Sequence, residues 1–180
     1  MKKKFLFFMV TLLLMRPLSV FAAQENEVDK AIVDLSKQGK PDLRAQNQIE
    51  VSEEQELLYL ENEDRIAHGA KALVMEERLN TIARLRVAEV VNHFSHDRPN
   101  GSRCFTIFKE QGVHYESAGE NLVRGKQLSP EVALKLWLDS PTHCHNIRLR
   151  RYEKTGIAHI QTADSVIYWV QVFIKDKSEK

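Results

Sequence analysis

Three observations in the sequence predict an α+β domain, with helices packed on an antiparallel sheet. Between residues 52 and 94 apolar side chains recur at three- and four-residue steps, the spacing of one helix face. Ser129-Pro130 and Ser140-Pro141 each pair a capping residue with a proline suited to the first helical position. From Gly156 to Ile174 the chain turns to β-branched and aromatic residues. Helices first and strands last is the order of an α+β fold rather than of alternating βαβ units.

The chain opens with Lys2, Lys3 and Lys4, an apolar run from Phe5 to Leu14, and Val20-Phe21-Ala22 ahead of a polar stretch. These are the parts of a secretory signal, so residues 1–22 are expected to be removed after Ala22 on export. About 20 apolar residues are needed to span a bilayer, and Arg16 and Pro17 interrupt the run well short of that. Removal takes away four cations and no acids, which moves the formal charge from +1 to −3 and argues against a nucleic-acid partner. Residues 23–51 are polar, with Gly39, Lys40, Pro41 and Asp42 in the middle and only a short helical spacing at Val28, Ile32 and Leu35. They read as a flexible spacer. One domain is expected over 52–175, followed by a charged tail over 176–180.

Ser52 with Gln55 is the pattern of a capping box. It opens a helix through Leu57, Leu58, Leu60 and Ile66 that stops near Gly69. The second helix carries Leu79, Ile82, Ala83, Val87, Val90 and Phe94 on one face and ends at Phe94-Ser95-His96, before the Asn100-Gly101 turn signal. A short helix over Cys104 to Glu110 follows, ending at Gly112. Ser129-Pro130 starts a helix with Val132, Ala133, Leu136 and Trp137, and Ser140-Pro141 starts another with His143 in its first turn. Gly156–Ile160 and Ser165–Ile174, joined by Gln161-Thr162-Ala163-Asp164, predict a β-hairpin.

Three segments place a titratable side chain at what reads as an element boundary: Phe94-Ser95-His96, Gly119-Glu120-Asn121 and Ser140-Pro141-Thr142-His143. His143, at the third helical position, sits in the positive field of a helix N-terminus, which favours the neutral imidazole that a ligand or base must be. Gly119 lets the backbone turn closely past its neighbours and aims Glu120 inward, with Asn121 locking the turn. A surface histidine after a cap and a solvated histidine after a helix end are the ordinary alternatives. The chain has no Gly-x-Ser-x-Gly elbow, His-Glu-x-x-His pair or phosphate loop.

Taken together, Phe94-Ser95-His96 with Arg98-Pro99-Asn100-Gly101, Ala118-Gly119-Glu120-Asn121-Leu122, Trp137 with Ser140-Pro141-Thr142-His143 and Asn146-Ile147, Gly156-Ile157, and Tyr168-Trp169-Val170-Gln171-Val172-Phe173 resemble a short bacterial member of the CAP superfamily. That superfamily comprises cysteine-rich secretory, antigen 5 and pathogenesis-related 1 proteins, which share the SCP domain. The resemblance runs over residues 54 to 174 and includes Asn62 and Arg65. It implies a three-layer α-β-α sandwich with a central antiparallel sheet, in a protein that is secreted or held in the cell envelope or periplasm.

The family's cleft is lined by two His and two acidic residues. Matched residue by residue, His96 and His143 are the histidines and Glu120 is the first acid; the second acid falls on Ser140, with Asp139 displaced by one residue, about 100° round a helix. The resemblance implies a binding cleft of His96, Glu120 and His143, and that set allows a divalent metal such as zinc, with a hydrogen-bonded His-Glu-His network as the alternative. Cys104 and Cys144 flank the matched motifs, and a disulfide between them is expected in an oxidising compartment, with a nucleophilic Cys144 as the rival. The expected function is that of an exported binding or interaction module for a small ligand, lipid, peptide or metal ion. The alternatives are a metal-dependent or acid-base hydrolase using the same cleft, and a structural protein displayed through the spacer.

Overall fold

The computed structural model of the protein describes residues 51–177. The expected signal and spacer, up to Glu50, lie outside the described residues. Among the described residues five helices and four strands follow one another: α1 (Glu53–Ala67), β1 (Val74–Met75), α2 (Glu77–Asn92), α3 (Thr106–Glu110), β2 (Tyr115–Lys126), α4 (Pro130–Asp139), α5 (Pro141–Arg148), β3 (Lys154–Gln161) and β4 (Val166–Asp176).

The local signals act where the sequence places them. Ser52 Oγ accepts from the Gln55 N–H, and the Gln55 side chain accepts from the Ser52 N–H, which satisfies two helix-end donors at the start of α1. Ser129 Oγ accepts from Val132 N–H at the start of α4. Ser140 holds the cap position of α5 but makes no capping hydrogen bond. Gly69 and Gly112 adopt left-handed φ values of 74° and 66° just beyond α1 and α3, the helix-ending conformation that glycine adopts most readily.

The strands form one sheet in the order β1-β3-β4-β2. The expected hairpin is present as β3 and β4, antiparallel with Gly156 opposite Val172. Two strands were not expected. β2 pairs antiparallel with β4 along its length, with Glu120 opposite Val172, and the two-residue β1 pairs parallel with β3. The sheet is therefore antiparallel except at one edge.

β4 divides the interior, because successive strand residues face opposite ways. Tyr168, Val170, Val172 and Ile174 pack with Leu79, Ile82, Ala83, Val87 and Val90 of α2 and with Ile107 and Phe108 of α3. Trp169 and Phe173 pack on the other side with Leu57 of α1, Ala133 and Trp137 of α4 and Ile147 of α5. Helices on both faces of one sheet make the α-β-α sandwich. Phe94 departs from the expected stripe: it lies beyond the end of α2, is exposed, and meets the Tyr168 ring edge-on beneath the Arg124 guanidinium.

Close approach of α2 to β3 depends on Gly156. A Cβ there would lie 2.1 Å from the Leu79 carbonyl carbon and 2.5 Å from Asn80 N. The contact is sealed by Asn80 Oδ1, which accepts from Ile157 N–H at 3.1 Å.

Candidate functional site

The three matched residues come from three elements: His96 from the segment after α2, Glu120 from the middle of β2, and His143 from the first turn of α5. The structure brings them together. His96 Nδ1 lies 2.8 Å from Glu120 Oε1, and the His96 and His143 rings are 6.5 Å apart between centroids. Glu120 is not at a turn, as its Gly-Glu-Asn setting suggests, but inside a strand. Gly119 serves packing: a Cβ at that position would lie 2.6 Å from the Tyr152 hydroxyl.

Asn121 and Asn146 fasten β2 to α5. Asn121 Nδ2 donates to the His143 carbonyl at 3.2 Å, and Asn146 Nδ2 donates to Asn121 Oδ1 at 2.9 Å and to the Glu120 carbonyl at 3.3 Å. These bonds set the distance between the Glu120 strand and the His143 helix. A depression of about 210 Å³ opens here, lined by His96, Arg103, Cys104, Phe105, Ala118, Gly119, Glu120 and Asn146.

The decisive neighbour is Arg86, whose side chain is buried with that of Glu120. Its Nε donates to Glu120 Oε2 at 2.7 Å and its Nη2 to Glu120 Oε1 at 3.2 Å, a bidentate pair. Nη2 also donates to the Ser95 carbonyl at 2.9 Å, which ties the segment carrying His96 to α2. Nη1 donates to Glu89, and Glu89 in turn accepts from Arg98, which reaches Glu110 at 2.6 Å. An alternating chain of charges thus runs from the cleft floor to the surface. Burial works against the Arg86 charge, but Glu120 and Glu89 more than offset it, so its pKa is raised.

Sequence reading missed Arg86, although a signal was present. The apolar stripe of α2 falls at Leu79, Ile82, Ala83, Val87 and Val90, and Arg86 occupies the same face and is fully buried. A charged residue on a buried stripe requires a buried partner.

The pair with Arg86 changes what Glu120 can do. One carboxylate oxygen is bonded to Arg86 and the other to both Arg86 and His96. Glu120 accepts from His96 Nδ1–H, which leaves Nε2 as the ring nitrogen that can meet a ligand. The His143 pKa is lowered, first by burial and then by the nearby His96, so its neutral form is favoured. The direction agrees with the sequence expectation, and burial is its first cause.

A three-ligand zinc centre does not fit these residues. The Glu120 carboxylate already accepts from three donors, and among the described residues no three His, Cys, Asp or Glu side chains are grouped to hold a metal ion. Asp139 does not replace the missing second acid. It is exposed and bonded to Lys135 Nζ at 2.5 Å, one turn back on α4.

The expected Cys104–Cys144 disulfide is also corrected, since both are free thiols. Cys104 is buried under the cleft, where burial and the Glu120 charge push its pKa up to about 12. His143 is the α5 residue that faces His96, and the next residue points about 100° away round the helix. Cys144 accordingly lines a different cavity, with Pro141, His145 and Arg148. Trp137 and Trp169 are core residues, and Trp169 Nε1 donates to the Leu128 carbonyl.

Comparison with known proteins agrees with this architecture. The model of the CAP, or cysteine-rich secretory protein, family matches residues 58–173. The chain is similar to the uncharacterised protein YkwD of Bacillus subtilis (strain 168), with 31% identity over 123 residues, 67% of this chain and 46% of that protein. Its fold is similar to an extracellular SCP-domain protein from Bacillus anthracis str. Ames, at 25% identity and TM-score 0.62, covering 72% of this chain and 42% of that one. It is also similar to an outer surface protein from Borrelia burgdorferi, at 19% identity and TM-score 0.64, covering 69% of this chain and 93% of that one. The chain thus spans under half the length of YkwD and of the anthrax protein.

Proposed function

The chain belongs to the CAP family, and on that premise we propose that it is an exported binding module whose ligand is met by the His96 and His143 imidazoles. The observation that carries this reading is the bidentate Arg86–Glu120 pair. A carboxylate already engaged by a guanidinium is a poor general base and a poor metal ligand. As a fixed acceptor it orients His96. Cys104, the thiol nearest the cleft, is held in its protonated form by burial and so supplies no nucleophile.

The size of the cleft narrows the ligand. Pockets that enclose drug-sized molecules occupy about 300–1,000 Å³, and the depression on the His96 and Glu120 side, which His143 does not line, is 210 Å³. It suits a small polar molecule or one side chain of a peptide better than a lipid tail. The His143 imidazole, whose neutral form is favoured, accepts a hydrogen bond from such a group.

Export is supported by the signal pattern of residues 1–22 and by the extracellular and outer-surface relatives. Among the described residues no helix is long and apolar enough to cross a membrane. Intact mass of the protein recovered from its native host, together with cell fractionation, tests this. A chain beginning at Ala23 outside the cytoplasm is expected, and a full-length cytoplasmic chain would overturn it.

For the cleft, histidine NMR signals of residues 23–180 are followed while pooled peptides, small polar metabolites and Zn²⁺ are titrated in. Shifts of His96 and His143 with a peptide or metabolite, lost in His96→Ala and His143→Ala, are the expected result. Stoichiometric zinc retained by the wild type and lost in both variants, with hydrolysis that follows the metal, would replace the binding reading by the hydrolase one.

A further inference from the structure

A second cavity, of about 620 Å³, lies on the other side of α5 from His143. Pro141, Cys144, Arg148 and Leu149 line it together with His145, Arg150 and Arg151, and the exposed lining is mostly apolar. It shares no lining residue with the cleft. At this size it falls within the range of small-molecule sites.

The charges around the cavity do not cancel. Arg148 is already engaged, since its Nε and Nη2 each donate to Asp64 at 2.8 Å. Among the described residues no carboxylate pairs with Arg150 or Arg151, which are both exposed. The Arg150 guanidinium lies beside Gly69, just beyond α1, with Nη2 3.0 Å from where a Cβ of that glycine would be. Two guanidinium groups with no carboxylate partner among the described residues thus border the apolar part of the wall.

We propose that this cavity is a binding site for an organic phosphate ester, with the phosphate on Arg150 and Arg151 and the apolar part against Pro141, Leu149 and the Arg148 stem. Guanidinium groups match phosphate oxygens through paired N–H donors. The apolar wall distinguishes an ester from the inorganic ion. The site is independent of the cleft, and its test does not depend on the ligand of His96 and His143.

Cys144 supplies a reporter within the wall, because it is partly exposed while Cys104 is buried with its thiol pKa raised. The rate of Cys144 alkylation by neutral iodoacetamide is measured by mass spectrometry in the presence of hexyl phosphate, inorganic phosphate or hexylammonium. Saturable protection by hexyl phosphate is expected, weaker protection by inorganic phosphate, and none by hexylammonium. Arg150→Glu with Arg151→Glu should weaken hexyl phosphate binding at least about tenfold, the loss expected for charge-assisted hydrogen bonds. Calorimetric titration of Cys144→Ser with the same three probes gives a readout that does not use the thiol.

Equal protection by hexylammonium, equal affinity for inorganic phosphate, or hexyl phosphate binding that survives the double charge reversal would each overturn the proposal. Sedimentation with phosphatidylglycerol vesicles assigns the source of the ester. Co-sedimentation lost in the double variant points to a lipid headgroup, and hexyl phosphate binding without co-sedimentation points to a soluble ester.

Discussion

Glu120 and Arg86 are buried together, and each is tolerable there only because of the other. Removing one partner of a buried ion pair leaves an uncompensated charge and costs about 3–5 kcal/mol. Arg86→Ala should therefore lower the urea midpoint strongly, whereas Arg86→Met combined with Glu120→Gln should recover much of the loss, since neither member then carries a charge. The same variants separate stability from site order. In the double variant the His96 ring loses its anionic acceptor, and its NMR signals should broaden or shift even where the fold is restored. His96, Glu120 and His143 were legible in the sequence because each stands in a matched motif. Arg86 was not, because a helix stripe is read by its apolar members and a single charged member is passed over. The disulfide expectation failed for a related reason. Sequence proximity places Cys144 beside His143, but helical rotation sends adjacent side chains to different faces.

Among the elements, the helices were legible from caps and period, and the β3–β4 hairpin from its composition. β2 was missed because its central residues, Ser117-Ala118-Gly119-Glu120-Asn121, include residues of low strand preference. Pairing with β4 outweighs that preference, and Glu120 and Asn121 are buried because their side chains find polar partners. β1 is only two residues long and has no pattern to read. The tightest junction between elements is α2 on β3, where Gly156 meets helix backbone. Gly156→Ala would place a methyl group at 2.1 Å from the Leu79 carbonyl carbon, where no side chain can rotate away. A loss of about 3 kcal/mol or more is expected, the upper end of overpacking effects, measured by denaturant unfolding. Gly125, where an added Cβ would have nothing within 4 Å, serves as the control, and Gly125→Ala should change the midpoint little.

For the whole molecule, pH dependence above neutrality is set by a group far from the cleft. Glu61 of α1 is fully buried, bonded to Gln171 Nε2 of β4, with its other oxygen without a partner among the described residues. Burial raises its pKa to about 8, against the opposing pull of Gln171 and Arg65. The folded state therefore holds a proton that the unfolded state releases near pH ~4.3, and stability falls as pH rises toward 8. His143 acts in the opposite sense at lower pH. Its folded pKa is depressed, so stability rises with pH until the unfolded histidine has titrated near pH 6.5. Between about pH 6.5 and 8 only Glu61 of these two contributes a slope. Melting temperatures across that window should decline in the wild type and flatten in Glu61→Gln. An equal decline in the variant would place the titrating group elsewhere.

β4 lies between β3 and β2, so the strand that carries Glu120 has no partner in the sheet until Val166–Asp176 is in place. Glu120 is matched to Val172, far along the chain, and such long-range pairing is slow to close. A chain delivered from its N-terminus would thus acquire α1 and α2 early and its cleft last. Loss of even the final dozen described residues would leave both histidines present and the surface between them unmade.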